Sequence, residues 1–138
     1  MKNIAILMGG YSSEADVSLK SAATVVECLD KNKYRPYPIL IAKDRWVYTD
    51  PKGQEFPIDK NDFSLTIGGE KITFACAFNA IHGTPGEDGH LQAYFSFVGV
   101  PITGCSMYAS ALTFNKRDML SVLKPYGIAR AKAYYLNR

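Results

Sequence analysis

His82-Gly83-Thr84-Pro85-Gly86-Glu87-Asp88-Gly89-His90-Leu91-Gln92 decides how this chain is read. Three glycines, two adjacent acids and a glutamine crowd into eleven positions. An apolar strand, expected over Ile72 to Ile81, runs straight into the stretch. A helix follows it, with Leu91, Tyr94, Phe95 and Val98 on one face and a stop at Gly99. Glycine lets backbone come close to a ligand, and a helix start offers free N–H groups to negative charge. A packed core needs neither. The stretch therefore reads as a binding or catalytic loop at a strand-to-helix junction.

Upstream, Ile4 to Met8 is a continuous apolar run bounded by Gly9-Gly10, the pattern of a buried parallel strand. Ser13-Glu14-Ala15-Asp16 fits a helix start, and Ala22, Val25, Val26 and Leu29 repeat at helical spacing. Tyr37 to Ala42 is a second strand. Trp46-Val47-Tyr48 and Glu55-Phe56-Pro57-Ile58 flank the turn Asp50-Pro51-Lys52-Gly53, which predicts a hairpin standing off the main sheet. Downstream come a short strand over Val100 to Thr103 and a brief helix over Ala109 to Phe114. A further helix carries Met119, Val122, Leu123 and Tyr126. Ala131 to Leu136 reads as another opening strand. Alternating strands and helices predict an α/β fold: a Rossmann-like, doubly wound parallel sheet flanked by helices, with a β-hairpin insertion near residues 46–58. Both glycine-rich loops then fall at carboxyl ends of strands, where ligands bind in such sheets. The apolar run at the chain's end predicts a boundary near Tyr126 to Ala129 and a longer protein beyond it.

Composition narrows the class. The chain has 138 residues, 47% hydrophobic and 21% charged, with nine Tyr and seven Phe. This is one globular domain with enough apolar mass for a core. A net charge of +3, with no basic stripe, argues against a nucleic-acid partner. Cys28, Cys76 and Cys105 have neither metal-site spacing nor even number, so they read as reduced thiols. With no long apolar run, the expectation is a cytoplasmic protein with no membrane partner. No Walker A pattern and no GxGxxG follow the first strand, which demotes P-loop hydrolases and nicotinamide oxidoreductases.

Among the single residues, His82 stands at a strand end beside glycines, where imidazole can donate to a carboxylate or a developing oxyanion. Glu87 and Asp88 read as helix-start residues, Gln92 as a loop-bracing amide and His90 as a solvated helix residue. Two readings stand side by side for Glu14. It is a cap-region residue, or a carboxylate that receives a ligand ammonium group if the first and third strands are neighbours. Lys116 opens the last helix, where a cation is disfavoured unless an anion such as phosphate answers it.

The residues also resemble a known family. His82-Gly83-x-x-Gly86-Glu87-Asp88-Gly89-x-Leu91-Gln92-Ala93 resembles the N-terminal signature of the D-alanine:D-alanine ligases. Leu7-Met8-Gly9-Gly10-x-Ser12-Ser13-Glu14-x-x-Val17-Ser18-Leu19-x-Ser21 is similar to that family's first loop and helix. Thr103-Gly104 with Ala109 to Lys116 resembles the stretch leading into an ATP-grasp part. The resemblance implies a pre-ATP-grasp, substrate-binding domain over residues 1–126, with 127–138 opening the ATP-grasp part.

By the same resemblance, ATP phosphorylates the carboxylate of one D-alanine. The amine of a second attacks the acyl phosphate through a tetrahedral intermediate, and the dipeptide feeds peptidoglycan synthesis. Glu14 would anchor the first ammonium group, Val17 would pack on its methyl, and Ser18 lies in the same substrate-binding stretch. His82 and Gly83 would stand near the reacting carboxylate, with Glu14 and His82 as the catalytic pair. Lys116 would contact ATP phosphates. The implied cofactors are ATP and Mg2+, the ligands of the metal lying mostly in central and C-terminal domains beyond these residues. The family also implies a homodimer. Ala15 and Asn115 depart from common family residues without touching this chemistry. A D-alanine:D-lactate ligase, or a non-catalytic α/β binding or dimerisation module, remain the rival readings, and the chain alone is expected to fold without catalysing ligation.

Overall fold

The computed structural model describes residues 1–134 and 136. Seven strands form one sheet: β1 (Lys2–Gly9), β2 (Tyr34–Ile41), β3 (Trp46–Thr49), β4 (Glu55–Asp59), β5 (Ser64–Ile67), β6 (Glu70–Ile72) and β7 (Cys76–Asn79). Four helices accompany them: α1 (Ala15–Cys28), α2 (His90–Val98), α3 (Met107–Phe114) and α4 (Lys116–Leu123). A short 3-10 turn, Lys124–Tyr126, follows α4.

The strand order is β6-β5-β4-β3-β2-β1-β7. β1 lies between β2 and β7 and pairs parallel with both. Its alternate side chains enter two cores. Ile4 and Ile6 meet Ala22 and partly buried Val25 and Val26 of α1, with Leu29 just past its end. Ala5 and Leu7 point the other way, into a larger core that includes Leu91 and Phe95 of α2. A strand covered on both faces must be apolar throughout, which is why Ile4 to Leu7 reads as an unbroken run.

The parallel reading holds only for β2-β1-β7. From β2 outward every pairing is antiparallel, so the sheet is mixed. The expected hairpin is present as β3 and β4, but it extends the main sheet through β2 instead of standing off it. The expected strand over Ile72 to Ile81 is two strands. Ile72 closes a second hairpin across Gly68-Gly69, both at positive φ, and β7 starts only at Cys76. The expected strand over Val100 to Thr103 reduces to one parallel bridge, Ala77 with Ile102. Ala131 to Tyr134 forms no strand, and Tyr135, within the same expected strand, lies outside the described residues.

Aromatic rings hold the antiparallel half together. Phe63 is 1% exposed and meets Phe95 at 4.6 Å, Phe74 at 5.5 Å, Tyr94 at 6.1 Å and Trp46 at 6.3 Å. Its backbone is left-handed, φ 54, at the tight passage from β4 to β5. Such a conformation costs on the order of 1–3 kcal/mol. Burying a phenylalanine returns roughly 1.5–3 kcal/mol, and edge-on ring contacts add to that.

Candidate functional site

Because β1 and β7 are parallel neighbours, the loops after them leave the sheet side by side. They are then joined. The Tyr11 N–H donates to the Thr84 carbonyl at 2.9 Å, and the Ser12 hydroxyl donates to the His82 carbonyl at 2.8 Å. The approach leaves no room for a side chain at Gly10: a Cβ there would stand 2.6 Å from Ile81 Cγ2, at φ +98. Beneath the loops Ser18 is fully buried. Its hydroxyl receives the Gly9 N–H at 2.9 Å and donates to the Ala80 carbonyl at 2.8 Å, tying α1 to the ends of both strands.

The His82 loop is shaped by side chains bonding to backbone. The Gly86 carbonyl accepts from Asn79 Nδ2 and from Gln92 Nε2, both at 2.7 Å. A Cβ at Gly86 would lie 2.7 Å from the Ile81 carbonyl oxygen. Glu87 Oε2 receives the Gly83 N–H at 2.7 Å, while Asp88 receives the His90 N–H at 3.3 Å and pairs with His90 Nδ1 at 2.8 Å. Burial pushes the Asp88 carboxyl up, but hydrogen bonds from Thr84 and His90 outweigh it and hold the group below the ordinary carboxylate range. Asp88 thus serves the start of α2, and Gln92 braces the loop, as the residue types predict. Glu87 braces the loop instead of the helix. The expected Ser13 cap does not form. Glu14 is the cap residue of α1 without a side-chain cap bond, and Ser12 receives the Glu14 N–H at 3.2 Å.

Glu14 and the His82 loop meet. Glu14 Oε2 lies 3.6 Å from where a Cβ on Gly83 would stand. The Glu14 side chain is exposed, and no ion pair among the described residues uses it. Val17, one turn along α1, is 50% exposed. His82 is half-buried, with Nε2 3.1 Å from the Ser21 hydroxyl. A cleft of about 560 Å³ opens beside it, lined among others by Ser21, Asn79, Glu87, Gln92 and Thr103. Gln92 Oε1, buried in that wall, has no hydrogen-bond partner among the described residues. Ser18 offers no surface to a ligand: it supports the loops from below. Lys116 is exposed on the first turn of α4 and lines a depression with Glu87, Thr113 and Phe114 that adjoins the His82 cleft through Glu87 and Thr113. Asn115 caps α4 through the Asp118 N–H.

Sequence reasoning missed Ser12, Asn79 and Ser21. Ser21 carried a signal, since it stands seven residues after Glu14 and so on the same helical face.

The arrangement offers an exposed carboxylate beside the Gly83 loop and an imidazole at the edge of the adjoining cleft. The carboxylate suits an ammonium group, and an imidazole N–H suits an oxygen gaining negative charge. Among the described residues no cluster of three His, Cys, Asp or Glu could hold a metal ion, and no helix is long and apolar enough to cross a membrane.

Known proteins share this organisation. The family model described as the D-ala D-ala ligase N-terminus matches residues 3–105. A D-alanine–D-alanine ligase of Flavobacterium johnsoniae is 64% identical over all 138 residues, which span 43% of that protein. The crystal structure of the D-alanine-D-alanine ligase from Aeromonas hydrophila superimposes with a TM-score of 0.82 at 28% identity, covering 98% of this chain and 50% of that one. The Bacillus anthracis ligase structure complexed with ATP superimposes with a TM-score of 0.69 at 29% identity, covering 93% of this chain and 38% of that one. The chain therefore spans less than half the length of the curated relative it matches.

Proposed function

The chain belongs to the D-alanine–D-alanine ligase N-terminal family, and from that premise we propose that it forms the wall that receives the first D-alanine of an ATP-dependent ligase. The observation that carries this reading is the approach of the Glu14 carboxylate to the His82-Gly83 loop.

In this reading Glu14 takes the ammonium group of the first D-alanine and Val17 lies against its methyl. That pins the carboxylate toward His82, and positioning of this kind accounts for much of the advantage of an enclosed reaction. ATP, when bound, supplies the phosphoryl group that activates the carboxylate. His82 places a hydrogen-bond donor where negative charge grows on oxygen as the second amine adds. Gly83, with no side chain, lets that oxygen come close to the loop. Lys116 faces the phosphates as an exposed cation. Ser18 acts through the loops it holds and not by touching substrate. By the family resemblance, the residues that would hold Mg2+ lie mostly outside this chain. Residues 127–138 open the ATP-grasp part, and the isolated chain is inactive in ligation. Choice of the second substrate, D-alanine or D-lactate, and pairing into a homodimer rest with surfaces that Glu14 and His82 do not form.

The test is D-alanine-dependent phosphate release from ATP by the full reading frame that carries this chain, with L-alanine as control. Release with D-alanine alone, reduced roughly 10²–10³-fold in His82→Ala, is expected for loss of one donor to a developing oxyanion. No release from folded protein that binds ATP would sink the reading for this substrate and send the test to D-lactate.

A further inference from the structure

A hydroxyl inside a helix can donate to the carbonyl four residues earlier. Three in this chain do: Thr24 to Lys20 at 3.2 Å, Thr113 to Ala109 at 2.8 Å and Ser121 to Arg117 at 2.9 Å. Ser21 does not. Among the described residues its hydrogen-bond partner is His82 Nε2, at 3.1 Å. Two turns of α1 separate Ser21 from Glu14, so one helix face carries both the exposed carboxylate and the hydroxyl behind the imidazole.

A neutral imidazole carries one proton, and the bond made by one nitrogen decides where it sits. Suppose Nε2–H donated to Ser21. The hydroxyl proton, in a half-buried position, would then lack a protein acceptor. If Ser21 donates to Nε2 instead, the hydroxyl proton is used and the ring proton sits on Nδ1. Each arrangement leaves one donor to water or a ligand, so acceptor strength decides: the unprotonated imidazole nitrogen is a more basic acceptor than a hydroxyl oxygen, which favours Ser21 as the donor.

We propose that Ser21 is a positioning residue: its hydroxyl donates to His82 Nε2, fixes the ring and keeps the imidazole proton on Nδ1, so that the nitrogen left for a ligand is an N–H donor. This rests on the ligase reading for its consequence in catalysis. There the difference is decisive, because a donor stabilises an oxygen gaining negative charge and a lone pair repels it.

The chain has two histidines, which makes the test direct. In the ¹⁵N-histidine-labelled 138-residue chain at about pH 8.5, where ordinary imidazoles are neutral, His82 should show a protonated Nδ1 and a pyridine-type Nε2. Ser21→Ala should move the His82 proton toward Nε2, and Ser21→Thr, which keeps the hydroxyl, should not. His90, held by Asp88, should stay unchanged in both and reports that the fold is intact. A wild-type His82 protonated on Nε2 overturns the proposal, as does an unchanged His82 spectrum in folded Ser21→Ala. If Ser21→Ala fails to fold, the wild-type and Ser21→Thr spectra still decide.

In the full-length ligase, Ser21→Ala should lower kcat by roughly 2- to 10-fold, the worth of one neutral hydrogen bond, with a smaller change in KM for D-alanine and recovery in Ser21→Thr. Unimpaired turnover in His82→Ala would remove the catalytic role assigned to His82. The Ser21–His82 pairing is judged separately, by the spectrum.

Discussion

The two halves of the sheet are held by different means. In the antiparallel half, β3 to β6, rings do the holding: Phe63, Phe74, Trp46 and Tyr48 pack with Tyr37, Tyr94 and Phe95. In the parallel half, above β1 and β7, single polar side chains reach backbone groups: Ser12 to His82, Ser18 to Gly9 and Ala80, Asn79 and Gln92 to Gly86. Ring packing yields large, non-directional energy. Hydrogen bonds to backbone yield less net energy but fix atoms to fractions of an ångström. A stable half thus carries a geometrically specified half, and the proposed site occupies the second.

The contrast breaks if a ring substitution disturbs the loops as much as it disturbs the core. Phe63→Ala should cost about 3–5 kcal/mol in denaturant unfolding, the range for emptying a buried aromatic site. While folded, it should leave the amide shifts of Gly9, Gly83 and Gly86 near their wild-type values. Large shifts there would show one undivided core.

Ser18→Ala sharpens the contrast from the other side. It leaves the Gly9 N–H and the Ala80 carbonyl buried without their partner, at a cost of about 1–3 kcal/mol. The expected signature is local. Gly9 amide exchange quickens well beyond the global change, while amides of β3 and β4 follow global stability alone. Uniform quickening across the sheet would remove Ser18 as a loop tie.

The smallest effect concerns Tyr94, whose hydroxyl donates to the Lys60 carbonyl at 2.9 Å. Burial, with Asp62 and Asp59 nearby, pushes this phenol up to about 12. The unfolded chain releases the proton near 10 and the folded chain holds it to about 12, so stability should fall as pH rises through that window. Tyr94→Phe should lose roughly 0.5–1.5 kcal/mol at neutral pH and flatten the alkaline slope. Absorbance titration of the wild type showing every tyrosine ionising near 10 would contradict the raised phenol.

What was legible in the sequence follows the same division. Ile4 to Met8 could be read as a buried strand because both faces are covered, and Gly99 marks the end of α2 as expected. The turn Asp50-Pro51-Lys52-Gly53 announced β3 and β4. β5 and β6 are not legible because each is three or four residues long and Ile72 runs on into the apolar residues after it. Gly68-Gly69 was the available mark, a two-residue hairpin turn. The approach of Glu14 to Gly83 depended on β1 and β7 being neighbours, which no local pattern encodes. Ser18 could not be separated from Ser21 by type. What each hydroxyl meets, one sealed under the loops and one against an imidazole, comes only from packing.

The parallel pairing of β1 with β7 also has a consequence for synthesis. Ser12 and His82 are 70 residues apart in the chain, so their loops cannot meet until nearly two thirds of this sequence has left the ribosome. The hairpins from β3 to β6 are built from near neighbours and can close as they emerge, shortening the effective span that β7 must bridge. Until it does, β1 has one edge guarded by β2 and one edge bare, with Ile4 to Leu7 along it. A bare apolar edge invites pairing with another nascent chain. The last strand to arrive is thus also the one that makes the earliest strand safe.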